Sequence, residues 1–144
     1  MNKTTFITKE DNKYDWFLID ANSATLGRLS TEISRILLGK NNPHYNPSQN
    51  IHQGVIIINA EKINVTGKKE TDKFYYRHSG TPGGLTIETF RELQNRLPAR
   101  IIEKSVKGML PKGSLGRELF TKLKIYKGPS HPHIAQNPKK ININ

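Results

Sequence analysis

The hexapeptide VIIINA, residues 55–60, is the stretch that decides the fold. Its four consecutive β-branched residues leave no polar face, which is typical of a strand covered on both sides in a parallel sheet. A second apolar run, WFLIDA at residues 16–21, precedes it, and apolar side chains recur at helical spacing over residues 24–38 between the two. The sequence therefore predicts a strand–helix–strand unit, with Ile56 and Ile58 in its core.

Strand and helix patterns continue to alternate after VIIINA. FYYRH at residues 74–78 and LKIYK at 123–127 have strand character. Helices are predicted to begin at a Thr86 cap, at Pro98 in a first turn and at a Ser114 cap. Strands separated by helices predict an α/β fold with three layers, α/β/α, around a mainly parallel sheet of about four strands.

The length of the chain, 144 residues, is common for one domain, and we expect a single domain over residues 1–144. Cysteine is absent, which excludes disulfides and thiolate metal sites. The N-terminal segment has no apolar run long enough for a signal peptide or a membrane span. Residues 1–15 are predicted to be a flexible leader. Residues 128–144 are poor in periodic apolar side chains and are predicted to form an extended tail without regular structure, ordered by its partner.

The net charge of +11 is concentrated in one half of the chain. Residues 1–72 carry nine Lys and Arg against eight Asp and Glu, whereas residues 73–144 carry fourteen against four. The alternative is that these side chains form only a solvated face. The excess positive charges would then repel one another without compensation, so the asymmetry favours a polyanion as partner. A membrane surface fits less well, because it would favour a basic amphipathic helix with bulky aromatic side chains on its other face, whereas the basic helices here carry Leu, Ile and Val, which are typical of a core.

The basic half is predicted to present its cations from two helices anchored in the core. Their inward positions are predicted to be Ile102, Val106 and Met109 in the first helix and Leu115, Leu119 and Leu123 in the second. The cations on their other faces are Lys107, Lys112, Arg117, Lys122 and Lys124. Such a pre-formed surface suits a phosphate backbone better than a small substrate.

The glycine-rich segment SGTPGG, residues 79–84, could cradle a phosphate ahead of a helix. It lacks the lysine and hydroxyl of a P-loop, so we favour a plain turn between strand and helix. The adjoining Tyr75, Tyr76, Arg77 and His78 combine stacking rings with donors that suit RNA. The alternative is that one of the tyrosines packs in the core.

Catalytic and metal-binding patterns are not recognisable in this sequence. His131 and His133 in HPH lack a third ligand nearby, which leaves RNA contact or surface exposure as their role. We find no Ser–His–Asp order, no HExxH and no paired carboxylates. We therefore expect no enzyme activity, no cofactor and no small-molecule substrate. The alternative function is a nucleotide-dependent or RNA-processing enzyme that uses the switch point of the sheet.

With these residues assembled, the chain resembles the bacterial-type family of the universal large-subunit ribosomal protein thirteen. The matching motifs are WFLIDA, LGRLSTEI, INAEKINVTGKK, YYRHSG with PGG, VKGMLPKGSLGR, KLKIYKG and HPHIAQNP, of which VKGMLPKGSLGR is the most specific. The resemblance covers about Trp16 to Pro138. It implies a non-enzymatic protein with the α/β/α fold that binds large-subunit ribosomal RNA beside neighbouring ribosomal proteins and supports early assembly of the subunit.

The resemblance also implies which side chains face RNA. Carried over motif by motif, they are Arg77, His78, Lys107, Lys112, Arg117, Lys122, Lys124, His131 and His133. Other basic side chains that we assign to the same surface are Lys68, Lys69, Lys104 and Lys127. RHSGTPGG is closer to the cyanobacterial and plastid branch, and the high content of Ile, Asn and Lys suits an AT-rich genome. We therefore expect a ribosome of the plastid stroma ahead of one in a bacterial cytoplasm.

Overall fold

A computed structural model describes residues 14–143 of the chain. The strands are β1 (Asp15–Asp20), β2 (Gln53–Ile58), β3 (Phe74–His78), β4 (Leu85–Thr89), β5 (Leu123–Ile125) and β6 (Lys139–Ile141). The α-helices are α1 (Leu26–Leu37), α2 (Lys69–Asp72), α3 (Phe90–Arg96), α4 (Pro98–Met109) and α5 (Ser114–Thr121). Single 3₁₀ turns span Ala60–Lys62 and Ile134–Gln136.

The main sheet has four strands in the order β5, β2, β1, β6, and all of its neighbours are parallel. VIIINA lies in β2, a central strand, where Ile56 pairs with Leu18 of β1 and with Lys124 of β5. Ile56 is fully buried, whereas Ile58 at the end of the strand is half-buried. The α/β class, the parallel sheet and the strand–helix–strand unit are thus confirmed, while the prediction that Ile58 is a core residue is wrong.

The helices pack on one face of this sheet. Ile19, Val55 and Ile57 point to that face, where they share one apolar cluster with α1, α3, α4 and α5. Side chains alternate along a strand, so Trp16, Leu18 and Ile56 point to the opposite face. Gly54 makes room there, because a Cβ on this residue would overlap the ring of Trp16.

The opposite face is crossed by the connection between β5 and β6, which lie at the two edges of the sheet. Tyr126 and His133 belong to this crossing segment, residues 126–138, as does the 3₁₀ turn Ile134–Gln136. The ring of His133 stacks on Trp16 with centroids 6.1 Å apart. The sheet is therefore covered on both sides, which completes the three layers.

The prediction that no regular element follows Lys127 is wrong. Residues 139–141 form β6, which pairs in parallel with β1, and Lys139 Nζ lies 2.9 Å from Asp15 Oδ1. A short edge strand needs only backbone hydrogen bonds, so KKI shows no apolar pattern by which it could be predicted. The predicted leader, residues 1–15, lies outside the described residues except for Tyr14 and Asp15, the latter being the first residue of β1.

The segment after FYYRH also differs from prediction. Leu85–Thr89 is a strand, and it pairs antiparallel with β3 in a separate two-stranded sheet. The predicted helix capped by Thr86 is therefore wrong, and SGTPGG turns between two strands. The helix begins at Phe90, where the Thr89 hydroxyl accepts a hydrogen bond from Glu92 N and the Glu92 carboxylate accepts one from Thr89 N, a reciprocal capping box. LTIET alternates and is rich in β-branched residues, which favours a strand.

One of the predicted inward positions in the basic helices, Met109, is also wrong. Met109 is exposed, and Ile101 joins Ile102 and Val106 on the buried face of α4. Leu123 is buried, but it belongs to β5, since α5 ends at Thr121. No described helix is long and apolar enough to cross a membrane.

Candidate nucleic-acid interface

The end of α4, the turn after it and the start of α5 present three cations, which we call the basic corner. They are Lys107, Lys112 and Arg117. All three side chains are exposed. Leu110 and Leu119 anchor the corner, because both are buried in the main apolar cluster. Gly113 occupies the N-cap position of α5 and Ser114 is its first residue, so the predicted cap by the Ser114 hydroxyl is wrong. The corner is a rigid surface, because both flanking helices are fixed in the core.

The charges of the basic corner are not neutralised within residues 14–143. The ion pairs of this part of the chain are Arg35–Glu32, Arg96–Glu88 and Lys139–Asp15. Lys107 Nζ lies 5.9 Å from the centre of the Phe120 ring, and none of the three corner cations takes part in an ion pair with a described residue. Solvated, unpaired cations on a fixed scaffold can exchange their counterions for phosphates.

A cleft of about 430 Å³ adjoins the corner and lies between the β3–β4 hairpin and α4. We call it the hairpin cleft. Its cations are Arg77, Arg96, Arg100, Lys104 and Lys107, and its carboxylates are Glu88 and Glu103. Both Glu88 oxygens accept hydrogen bonds from Arg96 at 2.7 Å, which neutralises that pair. The remaining charge of the cleft is positive. The cleft brings together Arg77, Lys104 and Lys107, which were predicted to face RNA. Arg96 and Arg100 were missed as cleft residues.

A second cleft, of about 480 Å³, lies beside the start of α1. Arg28, Lys69 and Lys73 line it, and none of its lining residues is a carboxylate. Lys69 was predicted to face RNA, as was its exposed neighbour Lys68. Arg28 and Lys73 were missed, because each is an isolated cation in the near-neutral stretch of the sequence or at its boundary. Only the fold brings them to Lys69.

The two tyrosines of FYYRH have different environments. Tyr75 is 8% exposed, and the ammonium groups of Lys104 and Lys73 lie 5.1 and 5.7 Å from the centre of its ring. Tyr76 is 59% exposed. One tyrosine therefore packs in the core, and the other has a ring that is free to stack. Arg77 and His78 are exposed beside it, and His78 Nδ1 accepts a hydrogen bond from Gly80 N at 2.9 Å.

Comparison with known proteins gives the family. The family model described as Ribosomal protein L13 matches residues 14–132. The chain belongs to this family. It is 58% identical to the large ribosomal subunit protein uL13 of Trichormus variabilis, over the whole chain and 95% of that protein. It is 61% identical to the large ribosomal subunit protein uL13c of Guillardia theta, over 96% of each chain.

Membership of the ribosomal protein L13 family confirms the resemblance that the motifs indicated. The family is one of ribosomal structural proteins and not of enzymes, so the chain is not an enzyme and the alternative of a nucleotide-dependent or RNA-processing enzyme is set aside. SGTPGG agrees, since it joins two strands and no helix N-terminus follows it directly.

In this ribosomal protein L13 family member, Lys122 is less exposed than the three cations of the basic corner. The side chain is half-buried, and its Nζ donates to Asn50 Oδ1 at 2.8 Å and lies 3.0 Å from His52 Nδ1. Burial lowers the pKa of Lys122, and the negative charge of Glu118 partly opposes this effect. The contacts tie the loop before β2 to the end of α5, so Lys122 has an internal structural role.

The histidines of HPH lie in the crossing segment. His133 Nε2 is 2.6 Å from the Tyr126 hydroxyl, and the His133 ring stacks on Trp16. His131 Nδ1 accepts from His133 N at 3.3 Å, and both residues are half-buried. Within residues 14–143, no group of three or more His, Asp and Glu is placed to hold a metal ion. His133 is thus held by contacts within residues 14–143.

Two further lysines of the predicted surface follow α5. Lys124 is half-buried in β5, and Lys127 is exposed after it.

Two helical glycines give a matched test of how the basic corner is built. A Cβ on Gly116 would overlap the carbonyl oxygen of Pro111, whereas a Cβ on Gly108 would meet no atom. We expect Gly116→Ala to lower the free energy of unfolding by about 1 to 3 kcal/mol, because the Pro111 backbone must move. Gly108→Ala is expected to raise it by about 0.5 to 1 kcal/mol, since alanine suits a helix better than glycine.

Urea unfolding followed by circular dichroism measures both changes. Equal free energies of unfolding for the two variants would show that α5 does not pack closely on the turn.

Proposed function

We propose that this chain is a structural protein of the large ribosomal subunit that binds ribosomal RNA and supports early assembly of the subunit. The observation that carries the proposal is the basic corner, three exposed cations on core-anchored helices that no carboxylate within residues 14–143 neutralises. Its relatives are named as proteins of the large ribosomal subunit, which supports the same partner.

The proposed RNA-facing surface keeps most of the predicted residues. It comprises Lys68, Lys69, Arg77, His78, Lys104, Lys107, Lys112, Arg117, Lys124, Lys127 and His131. We add Arg28 and Lys73, which the fold places beside Lys69. Lys122 and His133 are assigned instead to the internal contacts described above. Exposed lysines and arginines on helices are suited to phosphates, which position an RNA without selecting its sequence.

The proposal extends to partners and location. Neighbouring ribosomal proteins of the large subunit are expected to contact the surface that RNA leaves open. We propose the plastid stroma ahead of a bacterial cytoplasm as the location, on the ground that the similar proteins include the uL13c of Guillardia theta, although cyanobacterial proteins are also close.

The salt dependence of RNA binding tests the proposed function. If six or more phosphates are contacted, the affinity for large-subunit ribosomal RNA is expected to fall by about 10³-fold or more between 50 and 200 mM salt. Filter binding over a series of KCl concentrations gives the slope. A control RNA of equal length but unrelated sequence is expected to bind more weakly with a similar slope. An affinity that does not change with salt would contradict the proposal.

A further inference from the structure

The outward face of the β3–β4 hairpin carries a stripe of apolar side chains. The register pairs Tyr76 with Ile87 and His78 with Leu85, and Phe74 lies two residues before Tyr76 on the same face. The exposed fractions of Phe74, Tyr76, Leu85 and Ile87 are 49%, 59%, 53% and 52%. Four large apolar side chains thus form a contiguous exposed surface, which we call the hairpin platform.

The hairpin does not need this surface for its own attachment. Tyr75, which points to the other face, is buried in the main cluster, and Phe90 directly after β4 is fully buried there too. Phe90 N also donates to Lys73 O at 2.9 Å, which closes the base of the hairpin. A contiguous apolar patch that folding does not use is typical of a binding surface.

The charges around the platform indicate its occupant. The outward positions of the two strands include no carboxylate, because Glu88 points to the other face and is held by Arg96. Cations lie on the other face of the hairpin, which Arg77 shares with Tyr75 and where the ammonium groups of Lys73 and Lys104 lie near the Tyr75 ring. Tyr76 borders these cations, because it lines the hairpin cleft together with Arg77 and Lys104, and Lys104 Nζ lies 3.4 Å from its carbonyl oxygen. Exposed aromatic rings beside a cationic cleft suit bases whose phosphates meet the cleft.

We propose that the hairpin platform stacks unpaired bases of the ribosomal RNA, with Tyr76 and Phe74 as the stacking rings. The two rings are about 7 Å apart along the strand, which leaves room for one base on each in an extended single strand. Leu85 and Ile87 lie on the same face and extend the apolar surface beside these rings. This inference rests on the proposed function, and it adds to the phosphate contacts of the basic corner a contact that carries no charge.

Substitution at Tyr76 separates stacking from charge. Tyr76→Ala is expected to weaken binding to large-subunit ribosomal RNA about 10-fold at any salt concentration, because the ring is lost. The slope of affinity against salt should stay unchanged, since tyrosine bears no charge. Tyr76→Phe keeps the ring and should bind like the wild type. Lys107→Ala is the contrasting control, because losing one phosphate contact should reduce the slope by about one.

The outcomes distinguish the platform from the proposed function. If the wild type itself binds the RNA without salt dependence, the proposed function fails. If the wild type binds as expected and Tyr76→Ala binds equally well, the platform inference fails alone. A third outcome would also overturn the platform inference. If Tyr76→Ala protein binds RNA normally but is missing from large subunits, the hairpin platform binds a protein and not RNA. Melting curves should agree for all variants, because Tyr76 is exposed.

Discussion

Replacing Lys107, Lys112 and Arg117 together by alanine is expected to weaken binding to large-subunit ribosomal RNA by roughly 100-fold. This magnitude follows if each exposed cation contributes about 1 kcal/mol to a phosphate contact. The salt slope should fall by about three, one for each contact. The free energy of unfolding should hardly change, because the three side chains are exposed and lie outside the ion pairs of residues 14–143.

A matched control for this variant comes from the near-neutral half of the chain. Arg35, Lys40 and Lys62 are also one arginine and two lysines, and all are exposed. Their triple replacement by alanine removes the same net charge. It leaves the basic corner intact, so it should lower the affinity far less. Equal losses in the two variants would show that only the overall charge matters. Loss of the circular dichroism signal in the first variant would show that the corner supports the fold.

The second large effect is expected from Ile56→Ala, which should lower the free energy of unfolding by about 2 to 5 kcal/mol. Ile56 is fully buried in the central strand β2, on the face that Trp16 and the crossing segment share. Removing its side-chain atoms there leaves a cavity between the sheet and that segment. Such a loss is a large part of the stability of one domain.

Ile87→Ala is the matched control for the core substitution. Ile87 is also in a strand, but it is exposed on the hairpin platform, so its truncation should change the free energy of unfolding by less than about 0.5 kcal/mol. Urea titration followed by circular dichroism compares the two. A cost below about 1 kcal/mol for Ile56→Ala would mean that the second face of the sheet is loosely packed.

The candidate site was partly predictable because its determinants are local. VKGMLPKGSLGR contains both the helix ends and the cations of the basic corner, so its charge and its turn can be inferred together. Lys122 shows the limit of this inference. Nothing near it in sequence indicates that Asn50 and His52 approach its ammonium group. Lys122 is therefore held in internal contacts, whereas Lys112, a lysine ten residues earlier in the same basic half, is exposed.

The sequence by itself determined the parallel sheet, through VIIINA and WFLIDA, and the basic character of the second half of the chain, through its uneven charge. Those features follow from hydrophobic pattern and net charge, which each segment carries without reference to the others. Only the tertiary structure decided that LTIET pairs with FYYRH, that KKI becomes an edge strand beside β1, and that His133 stacks on Trp16. These outcomes depend on which distant segments meet. Backbone hydrogen bonds can join strands of almost any composition, so the sequence of one strand does not name its partner. The burial of a residue likewise depends on which other segments of the chain pack against it.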